Sequence, residues 1–68
     1  MKDRGTIVFT ITEEKRSDGL TMLKVYSKHE RGKQENVNNL YPSELFDTMV
    51  DISEVLNDEG YAVIFEAD

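Results

Sequence analysis

The chain has 68 residues, 32% of them charged and 38% hydrophobic, and its 14 acids outnumber its 8 bases to give a formal charge of −6. That length makes a single small α+β-sized domain, residues 1–68, which hides only about 60% of the surface its unfolded form would expose, so modest stability is expected. The absence of cysteine excludes a disulfide framework and a thiolate metal site, and points to a reducing compartment. MKDRGTIVFTIT does not read as a cleavable leader, and no run approaches the roughly 20 apolar residues of a membrane span. The expected location is the cytoplasm, that of the host if the chain is viral.

Charge divides the sequence in two. All eight bases, Lys2, Arg4, Lys15, Arg16, Lys24, Lys28, Arg31 and Lys33, precede residue 34, where they meet five acids for a formal +3. From Gln34 onward nine acids and no base give −9. Such asymmetry points to electrostatic contact, either with a partner or between the two halves across the fold.

In chain order, Thr6 to Thr12 alternates Ile7, Phe9 and Ile11 with Thr6, Val8, Thr10 and Thr12, the pattern of a half-buried strand. EEKRSDG then supplies a turn, with Asp18 able to bond its own backbone and Gly19 able to take positive φ. Leu20 to Lys28 returns as a second strand, Leu23 and Val25 on one face and Met22, Lys24, Tyr26 and Lys28 on the other. Arg31 and Gly32 mark a second turn. Lys33 to Val37 reads as a polar third strand, able to hold only at an edge because Val37 is its one strong strand former.

Pro42 suits the first helical position, and Glu44 lies near the positive end of the helix dipole. Leu45, Met49, Ile52 and Leu56 follow at spacings of four, three and four, forming one apolar stripe that Phe46 and Val55 widen on either side. Gly60 is a natural left-handed cap, and Tyr61 to Phe65 is the last strand. With three strands before the helix, the strand after it runs parallel to the first, and a right-handed crossover sets the two side by side. The expected fold is α+β: a small single-layer mixed sheet of three or four strands in the order 3-2-1-4, with one helix on one face. Its core would comprise Ile7, Phe9, Ile11, Leu23, Val25, Leu45, Met49, Ile52, Leu56, Val63 and Phe65, with Ile64 left open because it alternates with Val63. The bare sheet face, carrying Val8, Met22 and Tyr26, is a candidate homodimer surface.

Little here serves catalysis. The chain has one histidine, His29, no cysteine to pair with it, and a surrounding of Lys28, Glu30 and Arg31 that reads as a solvated turn. Each glycine falls at an element boundary, so no phosphate-binding loop is present, and carboxylates on an open helix lack the enclosure that drives acid and base apart. No enzyme and no cofactor is expected. Asp47, Asp51 and Glu54 could share a hard cation, but such ions need more oxygen ligands converging from loops, and no metal site is expected.

Two charged surfaces remain. Lys24, Tyr26 and Lys28 on the second strand, continued by Arg31 and Lys33, could meet a single-stranded nucleic-acid backbone with one stacking aromatic, or a second copy of the chain. The net charge argues against nucleic acid, and lysine on an exposed strand also serves to discourage edge pairing. On the helix, Glu44, Asp47, Asp51, Glu54 and Asp58 fall within a sector of about 80°, opposite the apolar stripe, at 100° per residue. Like charges three or four apart repel by about 0.2–0.5 kcal/mol a pair, and no base interleaves. One reading is that these acids only keep a small protein dispersed. The other is that they dock on a basic protein partner, as a regulator or inhibitor would. In its sharper form the stripe imitates a nucleic-acid backbone, in the manner of small acidic viral or phage accessory proteins, a likeness of composition alone.

Overall fold

The structure is a computed structural model and describes residues 3–67. Its elements are β1 (Thr6–Lys15), β2 (Thr21–His29), β3 (Glu35–Leu40), a 3-10 turn (Pro42–Glu44) that runs directly into α1 (Leu45–Asp58), and β4 (Ala62–Ala67). The four strands form one mixed sheet in the order β3-β2-β1-β4, antiparallel except for the parallel pair β1 and β4. The α+β class, the strand order and the parallel closure are those expected from the parity of the chain.

The β1–β2 hairpin is longer than local sequence implies. Glu13, Glu14 and Lys15 continue β1, with Lys15 opposite Thr21, because a charged residue on an exposed strand face is stabilised by a charge on its neighbour. Glu14 Oε2 lies 2.6 Å from Lys24 Nζ. The reversal is confined to Arg16–Leu20: Arg16 N–H donates to the Leu20 carbonyl at 2.8 Å and Gly19 N–H to that of Arg16 at 3.0 Å. Asp18 Oδ1 accepts the Leu20 N–H at 3.1 Å, and Gly19 has φ +87°, a backbone region that suits glycine.

The third strand is an edge strand as expected but lies later than Lys33–Val37. It runs to Leu40, which stands opposite Leu23. A bulge leaves Val37 without a ladder partner, since Val25 pairs with Asn38 and Tyr26 with Asn36. The Asn36 amide compensates, donating at 3.3 Å to the Val25 carbonyl, the Asn38 carbonyl and Asn39 Oδ1. Asparagine thus supports the strand through its side chain where a β-branched residue would do so through packing.

Pro42 opens the helical segment, and the Glu44 carboxylate reaches back to accept the Tyr41 N–H at 2.9 Å. At the other end Tyr61 N–H donates to the Leu56 carbonyl at 2.9 Å and Gly60 N–H to that of Asn57 at 3.0 Å. Gly60 has φ +100°, completing a left-handed helix stop.

Phe9, Leu23, Val25 and Leu40 are buried, with Ile7, Ile11, Leu45, Ile52, Leu56, Val63 and Phe65 packed around them. Compared with the expected core, Leu40 is gained, because β3 extends to it, and Met49 stays at the margin. Phe9 and Phe65, opposite each other in the parallel pair, stack at 5.4 Å between ring centroids. Ile64 pairs with Val8 on the face away from the helix and is 47% exposed.

The chain leaves β3 at one edge of the sheet and must enter β4 at the other, so the helix crosses the sheet obliquely. Its 3-10 start touches β2 and its body touches β4, while no residue of α1 is buried. The molecule is accordingly thin, 46 × 24 × 15 Å with a radius of gyration of 13.0 Å, against about 11 Å for a compact chain of this length.

Candidate functional site

The oblique crossing gives α1 a charged crest with an apolar recess on each slope. Asp47, Asp51, Glu54 and Asp58 are all exposed along the crest, over a rise of about 16 Å at 1.5 Å per residue. Glu44 is also exposed, but its bond to the Tyr41 N–H gives it a structural task at the helix start. The helix has no base in its last turn to complement the dipole.

No ion pair joins the basic half of the chain to the acidic half among the described residues. Among the described residues the two ion pairs are Lys24–Glu14 and Arg16–Asp18, the latter at 3.4 Å. Both lie within the β1–β2 hairpin. The crest is left facing solvent with one sign of charge.

On the slope toward β3 is a recess of about 500 Å³. Its floor is Ile7 and Phe9 of β1; Ile52, Val55 and Leu56 form the helix wall, Val37 stands on the β3 side, and Asp51 marks the rim. Val55 is 59% exposed and Val37 49%. On the opposite slope, Phe46, Met49, Val50 and Phe65 line a second recess of about 360 Å³ beside Glu54. Phe46 is 75% exposed, so it and Val55 flank the apolar stripe without entering the core. Neither recess follows from periodicity, because both depend on the angle of the helix. The available signal was that Val55 and Phe46 lie off the main stripe, and that Val37 stands alone among asparagines.

The basic surface is divided. Lys24, Tyr26 and Lys28 share the outer face of β2, opposite Thr12, Thr10 and Val8, whereas Arg31 and Lys33 are exposed in the loop before β3. The hydrogen bond that Lys24 donates to Glu14, then the charge of that carboxylate and a smaller contribution from Tyr26, hold the Lys24 ammonium above the ordinary lysine pKa against weak desolvation. Its charge is therefore matched within the hairpin. The outer face also carries Val8, Met22 and Ile64.

His29 is not the solvated turn residue its neighbours imply. It ends β2 half-buried, with Nε2 3.1 Å from the Arg4 carbonyl oxygen and its ring edge-on to Tyr61 at 5.8 Å. The Arg4 guanidinium lies 5.9 Å from the centroid of the same Tyr61 ring, and Arg4 N–H donates to the Gly60 carbonyl at 3.0 Å. The three side chains tie the entry of β1, the end of β2 and the helix stop together.

Among the described residues, no three His, Cys, Asp or Glu side chains converge as a metal site requires, and no helix is long and apolar enough to cross a membrane. Comparison with protein-family models, curated proteins and solved structures finds no match for this chain.

Proposed function

We propose that this chain is a non-catalytic binding protein whose α1 crest docks on a basic surface of another protein, as a regulator or inhibitor would. The observation that carries the reading is the uncompensated crest: four exposed carboxylates in one row, with both ion pairs of the described residues elsewhere. A helix kept only as a solvated cover is stabilised by mixing signs along its surface, whereas this one bears repulsion along its length. A basic partner relieves that repulsion and is steered to the crest by the field of an acidic domain. Imitation of a nucleic-acid backbone is the specific form this takes if the partner itself binds nucleic acid, and a viral or phage accessory role is one setting for it. The hairpin is the lesser candidate for nucleic acid, because Lys24 is already matched by Glu14.

The test is affinity capture from the source cells, followed by a binding isotherm with the purified captured protein. The expected partner is basic, binds more weakly as salt rises, and loses at least about tenfold in affinity, or roughly 1.4 kcal/mol, to Asp47→Lys with Asp51→Lys. An unchanged isotherm for that double variant removes the crest from the interface.

A further inference from the structure

We propose that the recess between α1 and β3 is the seat of a helical segment of the basic partner, one that carries an apolar face flanked by lysine or arginine. The inference rests on the crest reading above and adds where the partner is anchored and what it must look like.

Two observations converge on that occupant. The first is width. Four strands at about 4.8 Å spacing present a face that one helix, about 10 Å across, cannot cover. Here α1 crosses obliquely, leaving Ile7 and Phe9 as the floor of an open recess between itself and β3. A second helix laid beside α1 completes the layer. An extended peptide would instead add to an edge in the plane of the sheet and leave the recess, which lies above its face, unfilled.

Charge complementarity is the second. Asp51 stands on the helix side of the recess. On the other bank Glu35 is the ladder partner of Ser27, which itself lines the recess, and antiparallel partners project to the same face. An apolar floor between acidic banks fits apolar anchors between basic flanks, and opposes a second copy of this chain, whose net charge is −6.

A leucine–lysine peptide of about 15 residues, patterned for one apolar helical face, is the probe, and a scrambled isomer of identical composition controls for charge. Methyl NMR titration of the full chain is expected to shift Val37, Val55 and Ile52 to saturation with the patterned peptide, and the scrambled peptide to bind about tenfold more weakly. Val37→Gln with Val55→Gln, both at half-exposed positions so that shifts elsewhere should be unchanged, is expected to lose about tenfold for the patterned peptide. If that variant binds as the wild type does while Asp47→Lys with Asp51→Lys binds no longer, the recess inference is overturned and the crest reading stands. The reverse pattern retains the recess but overturns the crest reading and the basic character of its occupant. No binding of the patterned peptide, or equal binding of its scrambled isomer, overturns the inference, as do concentration-dependent shifts of the same methyls without peptide, which would seat a second copy there.

Discussion

Asp51 is the position at which the energetic argument about the crest is most exposed to refutation. It has like-charged neighbours on both sides, Asp47 four residues before and Glu54 three residues after, and none of the three takes part in an ion pair of the described residues. Asp51→Lys removes two repulsions and creates two attractions, each worth about 0.2–0.5 kcal/mol, for a gain of about 0.8–2 kcal/mol. The new lysine also follows Asp47 in the favourable acid-then-base order, and lysine is the better helix former. A domain of this length has only about 3–10 kcal/mol in total, so the gain is a large fraction of it. Urea unfolding followed by far-ultraviolet circular dichroism reads it directly. With a slope near 1 kcal/mol/M for so short a chain, the midpoint should rise by about 1 M or more in dilute buffer. The rise should shrink in about 1 M salt, where the screening length falls to about 3 Å. A midpoint that is unchanged or lowered in dilute buffer would mean that the Asp51 carboxylate has a favourable partner within the fold, and the account of the crest as an internally unfavourable surface would be wrong.

Leu40→Ala should cost about 2–5 kcal/mol in the same assay, since Leu40 is 4% exposed among Phe9, Leu23 and Val25; a loss below about 1 kcal/mol would place β3 outside the core. Lys24 tests the hairpin. Its pKa is raised by Glu14, so the contribution of the pair is fully present below the unfolded lysine value of about 10.4 and is lost as pH rises through the higher folded value. Glu14→Gln should return the Lys24 titration, followed by NMR of the side-chain ammonium, toward that of free lysine, and an identical titration in the variant would contradict the assignment of cause.

The sequence was most legible where one element's own periodicity sufficed. Thr6 to Thr12 and Tyr61 to Phe65 alternate strongly enough to mark strands, the stripe from Leu45 to Leu56 marks a helix, and Pro42 and Gly60 bound it. Parity then gave the direction of the last strand, and the right-handed crossover the order of the sheet. What was not legible depended on a second element. Glu13 to Lys15 look like turn residues until the register brings Lys24, opposite Thr12, diagonally within reach of Glu14. Leu40 looks like a loop leucine until a bulge at Val37 carries β3 far enough to set it opposite Leu23. Likewise His29 looks solvated until the helix stop brings Tyr61 against it. For the candidate site, 100° per residue was enough to gather the acids on one outward face. That arithmetic could not show that Glu44 turns back to Tyr41, nor that the helix lies obliquely and opens a recess beside Asp51. Crossing angle is a property of the whole chain path, from one sheet edge to the other, and no local window contains it.

The crest and the recess bear on one another through stability. Each lowers the stability of the isolated chain: the crest by repulsion between exposed acids, the recess by leaving Ile7, Ile52 and Val55 short of the apolar neighbours that a filled layer would give them, at about 25 cal/mol for every Å² left in water. A solubilising role accounts for the first and not the second, since open apolar surface works against dispersal. Poor packing alone accounts for the second and not for acids that reject every base. One event would relieve both, the proposed seating of a basic amphipathic helix. On the proposed reading, such a partner at a thousand times its dissociation constant adds about 4 kcal/mol to the stability of the domain, comparable to a large part of what 68 residues can supply alone. Folding stability and partner binding are then two measurements of the same surface, which is why Asp51→Lys should move them in opposite directions.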